Sequence, residues 1–484
     1  MIPPGPRDLV AGDWEPVTTR AEPVLEDPAT GAPVRPVAVS RPDRVERALA
    51  AASGGWEHTT AAERADVLDA VADALPPAAR EIAALESFAT GVPIRQTIPL
   101  GEIVVGAFRL AAQQLREGRL AERPGGGVEV RRLPWGPALC LTPWNASAPM
   151  AAHKTASALA AGCPVVLKPS EYAPYGTQLL AETIDAVLAR HGAPRATFQL
   201  LHGDARTGAT LAADARIRAV SFTGGAAGGA AVAAACAAGL KPAQLELGGN
   251  NPLVVLPDAD VGLAARTAVD LLTTLNGQWC RALGRLVVPA GLHDELLAAV
   301  EARLARMCAG PPLEEETELG PLVHSRHRAR VAGRRDRLLE QASGGRPVLA
   351  TEVPDKGNYL APALLVGVPP ERAVEEIFGP VATVHPYGSI DEAVALANGT
   401  RHGLEGYVTG TDEDAALAVA RRIRAGEVKV NGSSMMSLHL LAPRPAWGCS
   451  GLGEEGTVET LRFFTGAQVV GVENGFALHS REPA

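Results

Sequence analysis

The sequence predicts an α/β protein of two or three domains built on parallel sheets. Three observations lead there. The 484 residues exceed what one ordinary core accommodates. Apolar residues at 46% and charged residues at 20% match ordinary globular usage, which argues against disorder. From Ala138 onward, short buried-strand patterns alternate with helical ones, the signature of parallel crossovers.

The elements follow in order. VERALAAASGGW and AERADVLDAVADALPPAAREIAALESFA carry apolar residues at helical spacing, with prolines between them. A third helical segment runs from about Ile103 to Arg116, and GGGVEVRRLPWG reads as a turn plus an alternating strand. ALCLTPW is then a buried strand, APMAAHKTASALAAG a helix ending at Gly162, PVVLKPS a strand and TQLLAETIDAVLARHG a helix. FQLLHG reads as a short helical stretch. AVSFTGG, GGAAVAAACAAG and AQLELGG continue as strand, helix and strand. A second alternating block runs from PLVVLPD to about Val430, with strands RLVVP, ATVHPY and GYVTG. The tail, LRFFTGAQVVGVENGF, reads as a strand leaving the body of the subunit.

Composition narrows the function. The net charge of −9 is spread along the chain without a long basic run, so nucleic acid is a poor partner. The six cysteines form no C-x-x-C pair and no zinc spacing, so no metal is expected and reduced thiols in a cytoplasm are. The N-terminus lacks the pattern of a signal peptide, and no apolar run is long enough to span a bilayer.

Polar residues cluster at four strand ends in the first block: TPWN, KPSE, FTGG and ELGG. Ligands of open parallel sheets bind outside the carboxyl ends of the strands. FTGGAAGG, with Phe222, Gly224 and Gly225, is a glycine-rich strand-to-helix turn that suits a phosphate. Lys168 after a buried strand can reach a ribose or phosphate. Glu246 in LELGGNN can act as a base on water, its pKa raised by desolvation. Asn145 can polarise a carbonyl oxygen. Cys280, in NGQWCRALGR, is a candidate nucleophile. Read singly, each has a structural alternative: a tight turn, a solvated lysine, a capping glutamate, a turn asparagine, a buried apolar cysteine. Together they suit oxidation of an aldehyde. A thiolate adds to the carbonyl, amide donors hold the oxyanion, hydride leaves to a nicotinamide, and a base activates water to release the acid.

At this point the sequence resembles the NAD(P)-dependent aldehyde dehydrogenase superfamily over nearly its whole length. TPWN, KPSE, FTGG, ELGG, NGQWC, EEIFGP, VNGSS and SGLGEEG occur in that family's order, and Glu246 precedes Cys280 by the family's 34 residues. The resemblance implies a Rossmann-like nucleotide-binding domain (1–116 with 135–246), an α/β catalytic domain (247–460) and a small β oligomerisation element (117–134 with 461–484). It implies Cys280 as nucleophile, Asn145 and the Cys280 N–H as oxyanion donors, Glu246 as deacylation base, and Lys154 behind the site assisting proton movement. Thr142, Trp144, Phe222, Gly224, Gly225 and Leu247 would line the dinucleotide site. Lys168 and Glu171 would hold the adenosine ribose, and Glu376 and Phe378 the nicotinamide ribose and ring. Glu171 leans the cofactor towards NAD, with NADP possible. A homodimer or homotetramer is implied, as is a small-molecule aldehyde substrate.

The departures concern substrate and cofactor affinity. Gly225 stands where the family usually has serine. Ala146 and His153 stand at tunnel positions that are aromatic in relatives, which implies a wider, more polar tunnel with Met150 on its wall; His153 is either a satisfied histidine or a ligand for a polar or acidic substrate. The loop after Asn431 is about two residues longer than usual. Trp279 and Arg281 flank the thiol; Arg281 either lowers the thiol pKa or binds an acidic substrate, or merely faces a surface or helix. Two rivals use the same residues: a CoA-acylating enzyme, against which Glu246 argues, and oxidation of a cyclic imine or hemiaminal. A silent scaffold subunit would lack the thiol or the base, and both are present.

Overall fold

The computed structural model describes residues 3–52, 55–342 and 345–472. Its first sheet has five parallel central strands in the spatial order Phe198–Leu200, Val165–Lys168, Ala138–Leu141, Ala219–Thr223 and Ala243–Glu246. Arg7–Val10 and Asp13–Pro16 extend one edge antiparallel, and Gly451–Leu452 closes the other. Its parallel strands begin at Ala138–Leu141, wind outward in one direction, then return to continue on the other side. The strand order therefore reverses between Ala138–Leu141 and Ala219–Thr223, where open sheets of this kind hold ligands. TPWN and FTGG leave those two strands.

FQLL, expected to be helical, is a strand. Phe198, Gln199 and Leu200 are buried between Val165–Lys168 and Arg7–Val10, and over three residues periodicity does not separate the two states. The third helix also begins earlier than expected, spanning Ile94–Arg116. The alanines of helix Ser147–Ala161 have a packing reason. Ala148, Ala151, Ala152, Ala156, Ala158, Ala160 and Ala161 are fully buried, so small side chains let this helix lie close to both the sheet and helix Ile94–Arg116. It ends at Gly162, whose φ of 95° is left-handed and free of strain only for glycine.

The second sheet has the order Arg346–Val348, Ala363–Val366, Val381–Tyr387, Leu283–Pro289, Asn251–Val255, Glu405–Thr409 and Glu427–Val430. All its pairs are parallel except the edge strand Arg346–Val348. A third sheet joins Ala121–Gly125, Val128–Pro134 and Thr465–Val470. In the tail, LRFF closes a short helix, Thr457–Phe463, and only Thr465–Val470 is strand. Phe464 is buried against the first core, so packing claims this stretch. Val469 and Val472 lie exposed on the tail, and residues 473–484 fall outside the described residues. No described helix is long and apolar enough to cross a membrane, and no described cluster of His, Cys, Asp and Glu could hold a metal.

Candidate active site

One cavity of about 1210 Å³ runs along the carboxyl ends of the first sheet and reaches the second. Every residue singled out from the sequence borders it except Lys154. TPWN supplies Thr142, Trp144 and Asn145, and the helix that follows supplies Ala146, Met150 and His153. KPSE supplies Lys168 and Glu171. FTGG supplies Phe222, Gly224 and Gly225. ELGG supplies Glu246 and Leu247. NGQWCR supplies Trp279, Cys280 and Arg281, and EEIFGP supplies Glu376 and Phe378.

The NGQWC loop is held in an unusual backbone. Leu275, Asn276 and Gly277 are all left-handed, with φ of 50°, 59° and 70°. Such angles cost about 1–3 kcal/mol each for non-glycine residues and persist only where surroundings over-determine them. Here Asn276 Nδ2 donates to the carbonyls of Gly91 and Pro321. Gly277 lies so close to the EEIFGP loop that a Cβ would sit 2.4 Å from Gly379 and Pro380. Asn251 Nδ2 donates to the carbonyls of Cys280 and Ala282, and Tyr407 Oη donates to the Arg281 carbonyl. The cysteine is thus presented from an anchored loop. It is half-buried, and desolvation pushes its thiol up to about 12, with Arg281 opposing. A base must take the proton before the sulfur attacks.

Glu246 ends the strand beside FTGG. Burial, and then the charge of Glu455, raise its pKa well above the ordinary carboxylate range. Its Oε1 is buried without a hydrogen-bond partner, which leaves it free to take a proton. Asn145 Nδ2 donates to the Gln278 carbonyl at 2.9 Å, which uses one of its two hydrogens and fixes the amide beside the cysteine loop.

Lys154 is fully buried behind the wall, its Nζ 2.8 Å from Ser221 Oγ and 3.2 Å from Glu455 Oε1. Sequence reasoning misses Glu455, although it lies in the quoted SGLGEEG. Burial works against its charge, but Lys154 and Arg444 overcome that and hold its pKa low. Its position is set by the short antiparallel pair Arg444–Pro445 and Glu454–Glu455.

At the other end, the helix Ala226–Ala238 begins at Gly225, with no side chain capping its free N–H groups. A Cβ at Gly225 would meet nothing within 4 Å, so the space above this helix start is open. Thr223 Oγ1 is buried and unpartnered nearby. A Cβ at Gly224 would lie 2.6 Å from the Phe222 ring and one at Gly229 2.5 Å from Leu247, so a side chain at either would require that neighbour to shift. Lys168 is buried, and desolvation lowers its pKa. Trp144 and Phe378 meet edge to face at 5.4 Å. Glu376 accepts from the Gly249 N–H at 3.1 Å, and burial pushes its carboxyl up to about 7. A helix start, open glycine, orphan hydroxyl, lysine and aromatic pair along one channel fit a dinucleotide.

Two residues that the sequence leaves open have partners inside the protein. Arg281 Nη1 lies 3.1 Å from Glu405 and 3.0 Å from Glu427 in a buried cluster with Lys429, so its charge is already matched inside the protein. It is not a free anchor for an acidic substrate. His153 takes the satisfied alternative: Nε2 is 3.2 Å from Thr460 Oγ1, and burial lowers its pKa to about 4, leaving it neutral at ordinary pH. Trp279 borders the cavity while packing into the core of the second sheet.

Residues 14–470 match the aldehyde dehydrogenase family. The 3-succinoylsemialdehyde-pyridine dehydrogenase of a Pseudomonas species is 34% identical over 459 residues, covering 92% of this chain and 94% of that protein. Aldehyde dehydrogenase C of Pseudomonas syringae, a cysteine-to-alanine mutant in complex with NAD+ and octanal, superposes with a TM-score of 0.89 at 31% identity, covering 96% of both chains. Betaine aldehyde dehydrogenase of Staphylococcus aureus, in complex with NAD+, gives a TM-score of 0.90 at 27% identity, covering 98% of this chain and 97% of that one.

Proposed function

The chain belongs to the aldehyde dehydrogenase family, and on that premise we propose that it oxidises an aldehyde to a carboxylic acid through Cys280, with NAD as the preferred cofactor. The observation that carries this reading is the meeting of Cys280, Glu246 and Asn145 on one cavity with the uncapped helix start at Gly225.

Gly225 and its helix N–H groups would hold the pyrophosphate, Lys168 and Glu171 the adenosine ribose, and Glu376 and Phe378 the nicotinamide half. NAD, when bound there, supplies the acceptor for the hydride lost from the substrate carbon. The protein does the rest. The Cys280 thiol loses its proton to solvent, and Sγ bonds to the aldehyde carbon. The second Nδ2 hydrogen of Asn145 and the Cys280 N–H donate to the resulting oxyanion. Once the adduct has become a thioester on Cys280, Glu246 removes a proton from water. The water oxygen bonds to the acyl carbon, the carbon–sulfur bond breaks, and the acid leaves. The presence of this base favours water over CoA as acyl acceptor.

Ala146 and neutral His153 support a wide tunnel and a polar or bulky substrate. The domain division drawn from the sequence and pairing of subunits through the exposed strand Thr465–Val470 belong to the same proposal, since an open edge is a ready partner surface. So does a reducing compartment, which the free cysteines favour. The test is a panel of aldehydes with NAD and NADP separately, followed by reduced-cofactor absorbance. Cys280→Ala should abolish turnover. Wild-type rates in that variant would overturn the reading.

A further inference from the structure

The wall of the cavity beyond Cys280 is mostly apolar, formed by residues such as Ile103, Leu110, Met150, Leu275, Met436 and Leu440. Two arginines border this end, Arg281 and Arg444. Their charge environments differ. Arg281 and Lys429 face Glu405 and Glu427, so two cations meet two anions. Arg444 faces Glu455 Oε2 at 3.4 Å, while Lys154 Nζ occupies Oε1 of the same carboxylate at 3.2 Å. Two cations share one anion. His153 beside them is neutral, and Glu246, whose pKa burial raises, makes no ion pair with either cation. Glu102, the remaining acid of this wall, sits exposed on its helix.

Arg444 is also held for use. Its backbone is fixed opposite Glu455 by the strand pair, and its side chain is 23% exposed. Among the described residues that side chain makes no hydrogen bond meeting distance and angle together, only the 3.4 Å ion pair. A guanidinium has five N–H donors in a rigid fork that matches a carboxylate. Inside a mostly apolar cavity, such a group discriminates strongly between a ligand that satisfies it and one that does not.

We propose that Arg444 is a specificity-determining residue that pairs with a carboxylate carried by the substrate, so that the enzyme prefers aldehydes bearing a distal carboxylate over neutral ones. This rests on the aldehyde-oxidising role of Cys280 and names the substrate class for that site. Arg444 touches the substrate's far end and takes no part in bond making at the aldehyde carbon.

The experiment compares ω-oxo acids of increasing chain length with their methyl esters, in wild type, Arg444→Met and Arg444→Lys, with NAD. The expected result is a kcat/KM at least about tenfold higher for the best oxo acid than for its ester in wild type. Arg444→Met should lower kcat/KM for the acid by about 10- to 100-fold, mainly through KM, and leave the ester unchanged. Arg444→Lys should recover part of the loss. A second measurement uses wild type alone: straight-chain dicarboxylates should inhibit competitively against the aldehyde, and the matching diols should not. Equal losses for acid and ester in Arg444→Met would mean that Arg444 only holds Glu455 in place, and would overturn the proposal. Preference of wild type for the esters, or equal inhibition by diols, would overturn it too, while leaving aldehyde oxidation intact. If no aldehyde of either kind reduces the cofactor, the reading of Cys280 fails, and this inference with it.

Discussion

Replacing Gly225 by serine should tighten binding of NAD. Gly225 is the N-cap of helix Ala226–Ala238 at φ −75°, ψ 152°, an extended conformation that serine adopts without strain. A Cβ there meets nothing within 4 Å, so the substitution creates no clash. Capping itself adds only a few tenths of a kcal/mol over glycine. A new hydroxyl donating to a phosphate oxygen contributes about 1.5–3 kcal/mol. Freezing the side chain removes about 0.5–1.5 kcal/mol of that. The midpoints of these ranges leave a net gain of about 1 kcal/mol, which corresponds to a Kd for NAD lower by about 5- to 10-fold. Calorimetric titration of wild type, Gly225→Ser and Gly225→Ala measures it, with Gly225→Ala expected to show no gain. Without cofactor, the melting temperature of Gly225→Ser should shift by only about 1 °C. If Gly225→Ser binds NAD no better than Gly225→Ala, the pyrophosphate does not sit at this helix start.

Other outcomes follow from the same geometry. Glu246→Gln should slow turnover by about 10²–10⁴-fold and leave an acyl-enzyme on Cys280 visible in an intact-protein mass spectrum. Because burial and Glu455 raise the Glu246 pKa, its basic form is lost as pH falls through that raised value. Deacylation in single-turnover experiments should therefore slow on acidification well before an ordinary carboxylate would titrate, and a flat profile down to about pH 5 would contradict the assignment. Arg281→Met should destabilise the fold by about 3–5 kcal/mol, since Glu405 and Glu427 would keep only Lys429. Chemical denaturation checks that, and a specific loss of affinity for acidic substrates with unchanged stability would restore the role that the structure denies it. His153→Phe should alter size selectivity among aldehydes without moving the pH profile, because His153 stays neutral.

Much of this protein is legible along the chain because its chemistry sits at the ends of strands. A buried strand followed by polar residues and glycine is a local pattern, and TPWN, KPSE, FTGG and ELGG each show it. Repetition of that pattern, with Glu246 and Cys280 at their spacing, is enough to bring together a thiol, a base and an amide donor. The parallel sheets follow from the same alternation. FQLL and LRFF escape sequence reading because three or four apolar residues fit helix and strand alike. Neighbours decide them: strands Val165–Lys168 and Arg7–Val10 for the first, the core around Phe464 for the second.

Charge pairing is beyond the sequence. Arg281 beside the nucleophile reads as free, and nothing local marks Arg444 in its long loop. Folding reverses their standing, since strands Glu405–Thr409 and Glu427–Val430 bring two carboxylates to Arg281, while Arg444 shares one with Lys154. The sequence by itself determined which residues are candidates to make and break bonds, because those residues lie in short motifs whose backbone places them. Only the tertiary structure decided which charges stay uncompensated, because a buried charge is governed by partners far along the chain that come together in the folded interior.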